Sequence, residues 1–172
     1  MVDENHGIDI REIEVSDAER FLRLSNKIDG ETKFMMFEQG ERLTTLEEQR
    51  DIIKQVISKS NDIIFVADDN GDLVGYIGAY GGEFKRNSHS IYIVIGIRYE
   101  YTGKGIGTSL FVKLDEWAGK HKIHRLELTA ISNNLSAIAL YKKMGFEIEG
   151  IKKHSLCVDS SYVDEYYMAK LI

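Results

Sequence analysis

The 172-residue sequence predicts a mixed α/β fold in which one sheet carries helices on both faces. Three observations predict it. Apolar residues switch along the chain between the two-residue period of strands and the 3.6-residue period of helices. Two tight turns, at Asp69–Asp72 and Asp159–Ser161, mark hairpins. A glycine-rich turn joins a strongly apolar strand to an amphipathic helix. No tract is linker-like or repetitive, and a chain of this length buries roughly 70% of its unfolded surface, so residues 1–172 read as one domain.

Ile8 and Ile10 alternate with polar neighbours and start a short strand. Ser16-Asp17-Ala18-Glu19 has the pattern of a capping box, and Phe21, Leu22, Leu24 and Ile28 follow at helical spacing. Thr45-Leu46-Glu47-Glu48 is a second such box, opening a helix that carries Ile52, Ile53, Val56 and Ile57. Between the two lies an irregular segment, 29–44, with Phe34, Met35, Met36 and Phe37. Ile63–Ala67 is a strand. Asn70-Gly71 accepts the positive φ of a hairpin turn, and Leu73–Tyr80 returns as the next strand. Ser90–Ile97 is apolar enough for the middle of a sheet. A helix follows with Ile106, Leu110, Leu114 and Trp117 on one face, then a strand at His124–Ile131, a helix at Asn134–Met144, and strands at Phe146–Leu156 and Tyr162–Leu171. The order is β-α-α-β-β-β-α-β-α-β-β.

Composition excludes several classes of function. With 22 Lys+Arg against 28 Asp+Glu the net charge is −6, which argues against a general nucleic-acid binder but leaves room for a local basic patch on an anionic cofactor. Cys157 is the one cysteine, so a disulfide scaffold and a cysteine-based zinc site are excluded, and no metal is expected. The start, Met1–Gly7, is acidic and polar where a leader needs a basic and then an apolar run. No stretch approaches the ~20 apolar residues of a membrane span. A cytoplasmic protein with no membrane partner is expected.

The turn Arg98–Thr108 carries the strongest local signal. Alternating glycines at 103, 105 and 107 let backbone approach a ligand closely, and the free N–H groups of the next helix's first turn face the same point with the positive end of the dipole behind them. Such a turn suits phosphate or pyrophosphate; a tight turn that needs glycine for packing alone explains it equally well. The dinucleotide and kinase patterns fail because Thr108 stands at their last glycine, and the P-loop pattern fails because Arg98 stands at its first.

Gly105-Ile106-Gly107 resembles the end of the Arg/Gln-x-x-Gly-x-Gly/Ala cofactor loop of the GNAT superfamily, the acyl-CoA-dependent N-acyltransferases. About thirty residues on, Asn134-Leu135-Ser136-Ala137-Ile138-Ala139-Leu140-Tyr141-Lys142-Lys143-Met144-Gly145-Phe146 resembles that family's Asn-x-x-Ala-x-x-Leu-Tyr-x-x-x-Gly-Phe helix and turn. The element order agrees with the family from end to end. One position departs: Thr102 stands where the family usually has Arg or Gln.

The resemblance implies a mostly antiparallel sheet of about seven strands and an acetyl-CoA-dependent N-acetyltransferase in which the amine attacks the thioester directly. It assigns cofactor contacts to Ile95, Gly96 and Ile97 on the central strand, to Thr102, Gly103, Lys104, Gly105, Ile106, Gly107 and Thr108 in the turn, and to Asn134, Ala137, Tyr141 and Lys143. Tyr141 is the expected acid for the departing thiolate, since a phenol of pKa near ~10 keeps its proton at neutral pH. The family's basic glutamate position is Ile91 here, which has no acid–base chemistry. His89, with an ordinary pKa near ~6.5, is the expected base, with Glu83 and ordered water as rivals.

Residues 29–44 and the 159–162 turn stand where the family builds its acceptor site. Glu31, Glu38 and Glu83 are expected to attract an ammonium group, and Phe34 and Phe37 to line an apolar pocket. The endings Gly145–Gly150 and Tyr162–Ala169 resemble the branch of amino-acid and ribosomal-protein N-terminal acetyltransferases. A free amino acid or a peptide N-terminus is the expected acceptor; a polyamine or other small amine, and a non-catalytic acyl-CoA sensor, are the alternatives. A homodimer is expected.

Overall fold

A computed structural model describes residues 7–172. The polar run 1–6, which does not read as a leader, lies outside the described residues. The elements follow the expected order: β1 (Ile8–Glu12), α1 (Ala18–Glu31), α2 (Leu46–Ser58), β2 (Ile63–Asp69), β3 (Asp72–Gly81), β4 (Ser90–Ile97), α3 (Ile106–Lys120), β5 (Arg125–Ile131), α4 (Leu135–Lys143), β6 (Glu147–Val158) and β7 (Ser161–Leu171). The seven strands form one sheet in the order β1-β2-β3-β4-β5-β7-β6, antiparallel throughout except for the β4–β5 pair.

Each helix packs an apolar stripe onto the sheet. Leu110, Phe111, Leu114 and Trp117 of α3 and Ile138 and Tyr141 of α4 cover one face, against Phe65, Ile91, Ile93, Leu126, Leu128 and Met168. Phe21, Leu24 and Ile28 of α1 and Ile53 and Val56 of α2 cover the other, against Ile64, Val66, Leu73 and Tyr76. Alternation along β4 therefore sends Ile91 and Ile93 to the α3–α4 face, and Val94 with the other even positions to the α1–α2 face.

Local chemistry sets the ends of the elements. Asn70 (φ 52°) and Gly71 (φ 97°) make the β2–β3 hairpin turn, and Asp159 (φ 49°) and Ser160 (φ 63°) make the β6–β7 turn in the same left-handed conformation. The Thr45 capping box forms as expected, with Glu48 N–H donating to Thr45 Oγ1 (3.2 Å) and Thr45 N–H to Glu48 Oε2 (2.8 Å). The Ser16 box does not. Asp17 is instead buried, bound by Arg11 (2.8 and 2.9 Å) and Arg20, and accepts from Glu14 N–H (2.8 Å), so the chain enters α1 through a short 3-10 turn at Val15–Asp17. Asp17 thus closes a capping box that begins at Glu14, two residues ahead of the one expected.

Candidate active site

The central pair of strands parts early. β4 and β5 are in register only at Ser90–Arg125, Ile91–Leu126 and Tyr92–Glu127, although both strands run on for several residues. Beyond Tyr92, β4 stays paired with β3 as far as Ile97–Gly75, and β5 with β7 as far as Ile131–Glu165. The sheet thus opens into a V. Ser90 accepts from Gly82 and Arg98 donates to Val74, so even-numbered residues of β4 spend their backbone groups on β3. The odd-numbered ones face β5, and past the last rung the N–H and C=O of Ile95 and Ile97 look into the gap. Unpaired backbone groups inside a sheet call for a partner.

The wide end of the V leads to the start of α3. Gly105 is the helix N-cap in the left-handed conformation (φ 82°), Gly103 shares it (φ 72°), and no acidic side chain lies in the first turn. The first-turn N–H groups of Ile106, Gly107 and Thr108 have no capping side chain. A Cβ on Gly107 would lie 2.7 Å from Leu140, so that glycine lets α3 and α4 close on one another. From α4, Lys143 reaches Thr108 Oγ1 (3.2 Å), placing a cation beside the α3 start, while Lys104 lies over the Tyr101 ring (4.9 Å). This is a cradle for a phosphate or pyrophosphate joined to a slender arm able to hydrogen-bond Ile95 and Ile97. Coenzyme A has that chemistry.

Two expected cofactor contacts have other duties. Gly96 pairs with Tyr76 on β3, and a Cβ there would meet Tyr76 at 3.0 Å and Ile28 at 3.1 Å, so its glycine serves packing on the far face. Thr102 turns back to donate its hydroxyl (2.6 Å) and its N–H (3.1 Å) to Tyr99 O, closing a 3-10 turn. Asn134 caps α4, its side chain accepting from Ala137 N–H (3.3 Å); the side-chain amide donors are left over, so capping and a cofactor contact do not compete.

Tyr141 is 8% exposed and packs edge-on against Phe111, with ring centroids 5.8 Å apart. Burial pushes its phenol well above the ordinary value, and nearby Tyr92 adds to the rise. The proton therefore stays on through neutral and alkaline pH. Tyr92 sits on the opposite face at the point of the V, 41% exposed, with its hydroxyl 3.0 Å from Thr129 Oγ1 of β5. In the sequence Tyr92 is one more residue of an apolar strand, and nothing there singles it out.

A cavity of about 420 Å³ lies between the segment after α1 and the β6–β7 hairpin, floored by Ile131. Asp29, Glu31, Met35, Met36, Phe37 and Glu38 line one side, and Leu156, Cys157, Val158 and Asp159 the other. Glu31, Glu38 and Phe37 are thus where the sequence places them. Phe34 is not: it is 44% exposed outside the lining. Most of the charges are already engaged. Arg42 holds Asp29 (2.7 Å), Tyr99 N–H donates to Glu31 (2.8 Å), and Lys33 pairs with Asp159.

His89 and Glu83 are not brought to this site. His89 precedes β4 and is exposed, and its carbonyl accepts from His124 (2.9 Å) and Arg125 (3.1 Å) at the closed end of the V. Six residues of extended chain, on the order of 20 Å, separate it from Ile95. Glu83 lies in the β3–β4 loop at the same end, exposed and paired with Lys59 (3.5 Å). Ile91 is fully buried.

The profile of the acetyltransferase (GNAT) family matches residues 28–146, the stretch that holds both motifs and the V. The chain belongs to that family. It is 34% identical over 106 residues to an L-amino acid N-acetyltransferase of Escherichia coli, a match covering 59% of this chain and 64% of that relative, so just under two thirds of its length. A spermidine N(1)-acetyltransferase of Escherichia coli is 24% identical over 158 residues, 91% of this chain and 82% of the relative. Among solved structures, a GNAT-family acetyltransferase from Streptococcus pneumoniae superposes with a TM-score of 0.92 at 32% identity, covering 96% of this chain and 99% of the other. An acetyltransferase from Salmonella typhimurium, determined with its cofactor acetyl-CoA, shares the fold at a TM-score of 0.85 and 17% identity, covering 96% and 94%. The seven-stranded fold, the acetyl-CoA-dependent N-acetyltransferase class and the cofactor expected from the two motifs are borne out at the level of the family. Among the described residues no helix is long and apolar enough to cross a membrane.

Proposed function

We propose that this family member acetylates the α-amino group of a free amino acid, or of a peptide or protein N-terminus, by direct attack of the amine on the thioester. The observation that carries the reading is the V between β4 and β5. It joins the α3 cradle on one side to the cavity over Ile131 on the other, with Tyr141 and Tyr92 at the join. Acetyl-CoA supplies the acyl group in activated form. The chain's part is to hold and orient: the first turn of α3 and Lys143 for the phosphates, the backbone of Ile95 and Ile97 for the arm. Tyr141 keeps its proton at Oη for the departing sulfur. The apolar surroundings that raise Tyr141 raise a thiol in the same pocket too, so the two stay matched.

The acceptor class follows from acid–base chemistry. With His89 and Glu83 at the far end, no described side chain of ordinary near-neutral pKa lies at the join. The α-amine of a peptide or protein N-terminus, with pKa near ~7.7–8.0, is already about one-third neutral at pH 7.5, whereas a lysine or polyamine amine near ~10.4 is about 0.1% neutral; a free amino acid, whose own carboxylate raises its α-amine, lies between the two. A base is dispensable for the first and essential for the second. Met35, Met36, Phe37, Leu156 and Val158 favour an apolar group next to that amine. The carboxylates along the cavity favour a polyamine, the second reading, but the pairing of Asp29, Glu31 and Asp159 leaves them little charge to offer.

A thiol-release assay with acetyl-CoA over amino acids, peptides with free N-termini, polyamines and aminoglycosides tests this. Release with α-amines is expected. Release with polyamines alone selects the second reading, and tight acetyl-CoA binding without release from any amine selects a sensor. The reading also places the protein in the cytoplasm as a homodimer joined at the β6 edge, where Ile148 and Ile151 are exposed. A species of monomer mass in light scattering refutes the dimer.

A further inference from the structure

Resting on the acetyltransferase reading above, we propose that Lys33 receives the α-carboxylate of the acceptor. The substrate is then a free amino acid with an apolar side chain, rather than a peptide or protein N-terminus.

Five charged side chains line the cavity: Asp29, Glu31, Lys33, Glu38 and Asp159. Among the described residues Lys33 is the one cation in that lining. Arg42 lies behind it and is already committed. It donates from Nε (2.7 Å) and Nη2 (3.2 Å) to Asp29, and its guanidinium lies over the Phe37 ring at 4.5 Å. Breaking that pair would strand the buried carboxylate of Asp29 without its countercharge, so Arg42 is not free to bind a ligand. Glu31 accepts from Tyr99 N–H (2.8 Å) and has Lys27 at 3.9 Å. Glu38 is the lining carboxylate left without an ion pair among the described residues.

Lys33 and Asp159 are paired far more loosely. They join the segment after α1 to the β6–β7 turn, the two walls of the cavity, and their side chains are 70% and 65% exposed. An ion pair so exposed contributes at most ~1 kcal/mol, so exchanging one carboxylate for another costs little. An ammonium carries three N–H donors on a flexible stem, enough to turn from Asp159 to a carboxylate inside the cavity.

A free amino acid is a zwitterion with a side chain, and the cavity offers a partner to each part. Lys33 takes the carboxylate, Glu38 attracts the ammonium as it enters, and Met35, Met36, Phe37, Leu156 and Val158 meet an apolar side chain. At about 420 Å³ the cavity stands at the small end of ligand pockets, ~300–1,000 Å³, a size suited to one residue. A peptide presents a neutral amide where the amino acid has its carboxylate, and gives Lys33 nothing to bind. The pairing also offsets the hold of the carboxylate on its own α-ammonium, which eases loss of the proton at a site without a base.

The test is steady-state thiol release at saturating acetyl-CoA with leucine and methionine, each beside its α-amide, on the wild type, K33M and D159N. The amide keeps the amine and the side chain and lacks only the negative charge. K33M is expected to raise KM for the free amino acids about tenfold and to move KM for the amides and for acetyl-CoA less than about twofold. D159N is expected to act in the other direction, lowering KM for the free amino acids about threefold by removing the competing carboxylate. Asparagine accepts the left-handed conformation of residue 159 (φ 49°), so the turn is kept. Opposite signs separate a ligand role from a structural one, because a pair that only ties the walls together is lost alike in both variants. Equal losses for acid and amide in K33M, losses of the same sign in both variants, or a lower wild-type KM for the amides than for the free amino acids overturn the proposal and leave the acetyltransferase reading in place. A wild-type protein that releases thiol with no α-amine overturns both.

Discussion

The two sides of the V are built by opposite means. On the cofactor side, almost everything is backbone: glycines in left-handed conformations, the uncapped start of α3 and the unspent N–H and C=O groups of two isoleucines. On the acceptor side it is side chains gathered from the end of α1 and the segment after it, from β5 and from the β6–β7 hairpin. A backbone site depends on local conformation over a few contiguous residues. A side-chain site depends on sheet register, which brings together residues far apart in the chain. One can therefore expect the first to be common to many relatives and the second to carry what is particular to this chain.

Four changes sharpen or break that contrast. The largest effect is expected at the join. Tyr141→Phe should lower kcat by ~10²-fold or more with KM for acetyl-CoA little changed, since the proton is needed only as sulfur departs. Turnover near wild type removes Tyr141 from the mechanism. Because burial raises that phenol, the protonated form persists, and kcat should hold flat past pH ~10, having risen only with the acceptor's own titration near ~8. A decline between pH ~8 and ~10 contradicts this.

Next, Asn134→Asp separates cap from ligand. Aspartate caps as well as asparagine but has no N–H to donate, so melting should shift by less than ~0.5 kcal/mol while KM for acetyl-CoA rises about tenfold. Parallel losses in both assign Asn134 to the helix alone. Smaller still is Gly105→Ala. No atom lies within 4 Å of the added Cβ, so the cost is the left-handed backbone itself, on the order of 1–2 kcal/mol. A fewfold weaker acetyl-CoA binding by calorimetry should accompany it, and unchanged affinity argues that the turn is structural. His89→Ala should do least, leaving the pH–rate profile of the wild type in place.

How much of the molecule is legible in the sequence follows the same division. The fold, the strand Ser90–Ile97 and the α3 and α4 starts depend on periodicity, glycines and caps, all written in adjacent residues. His89 is in phase with Ile91 and so with the α3–α4 face, while Tyr92 takes the other, and alternation cannot tell where along β4 the ladder to β5 opens. Tyr92 and Thr129 sit on different strands with nothing in either neighbourhood to link them. Glu165 is one acid in an acidic chain, and its burial opposite Ile131 depends on a strand pairing that an alternating pattern does not announce. The start of α1 slips for a related reason: Arg11 and Arg20 lie outside the four residues that suggest a capping box.

The three rungs between β4 and β5 have a mechanical consequence. The sheet is stitched across its middle by only Ser90, Ile91 and Tyr92, so its interior contains an edge. Whatever hydrogen-bonds Ile95 and Ile97 completes the fabric as a fragment of strand would. Ligand and fold are then coupled: at a hundred times its Kd such a guest adds about 2.7 kcal/mol to global stability. The amide protons of Ile95 and Ile97 should exchange quickly in the free protein, as at an outer edge, and slowly in the complex, as in a core.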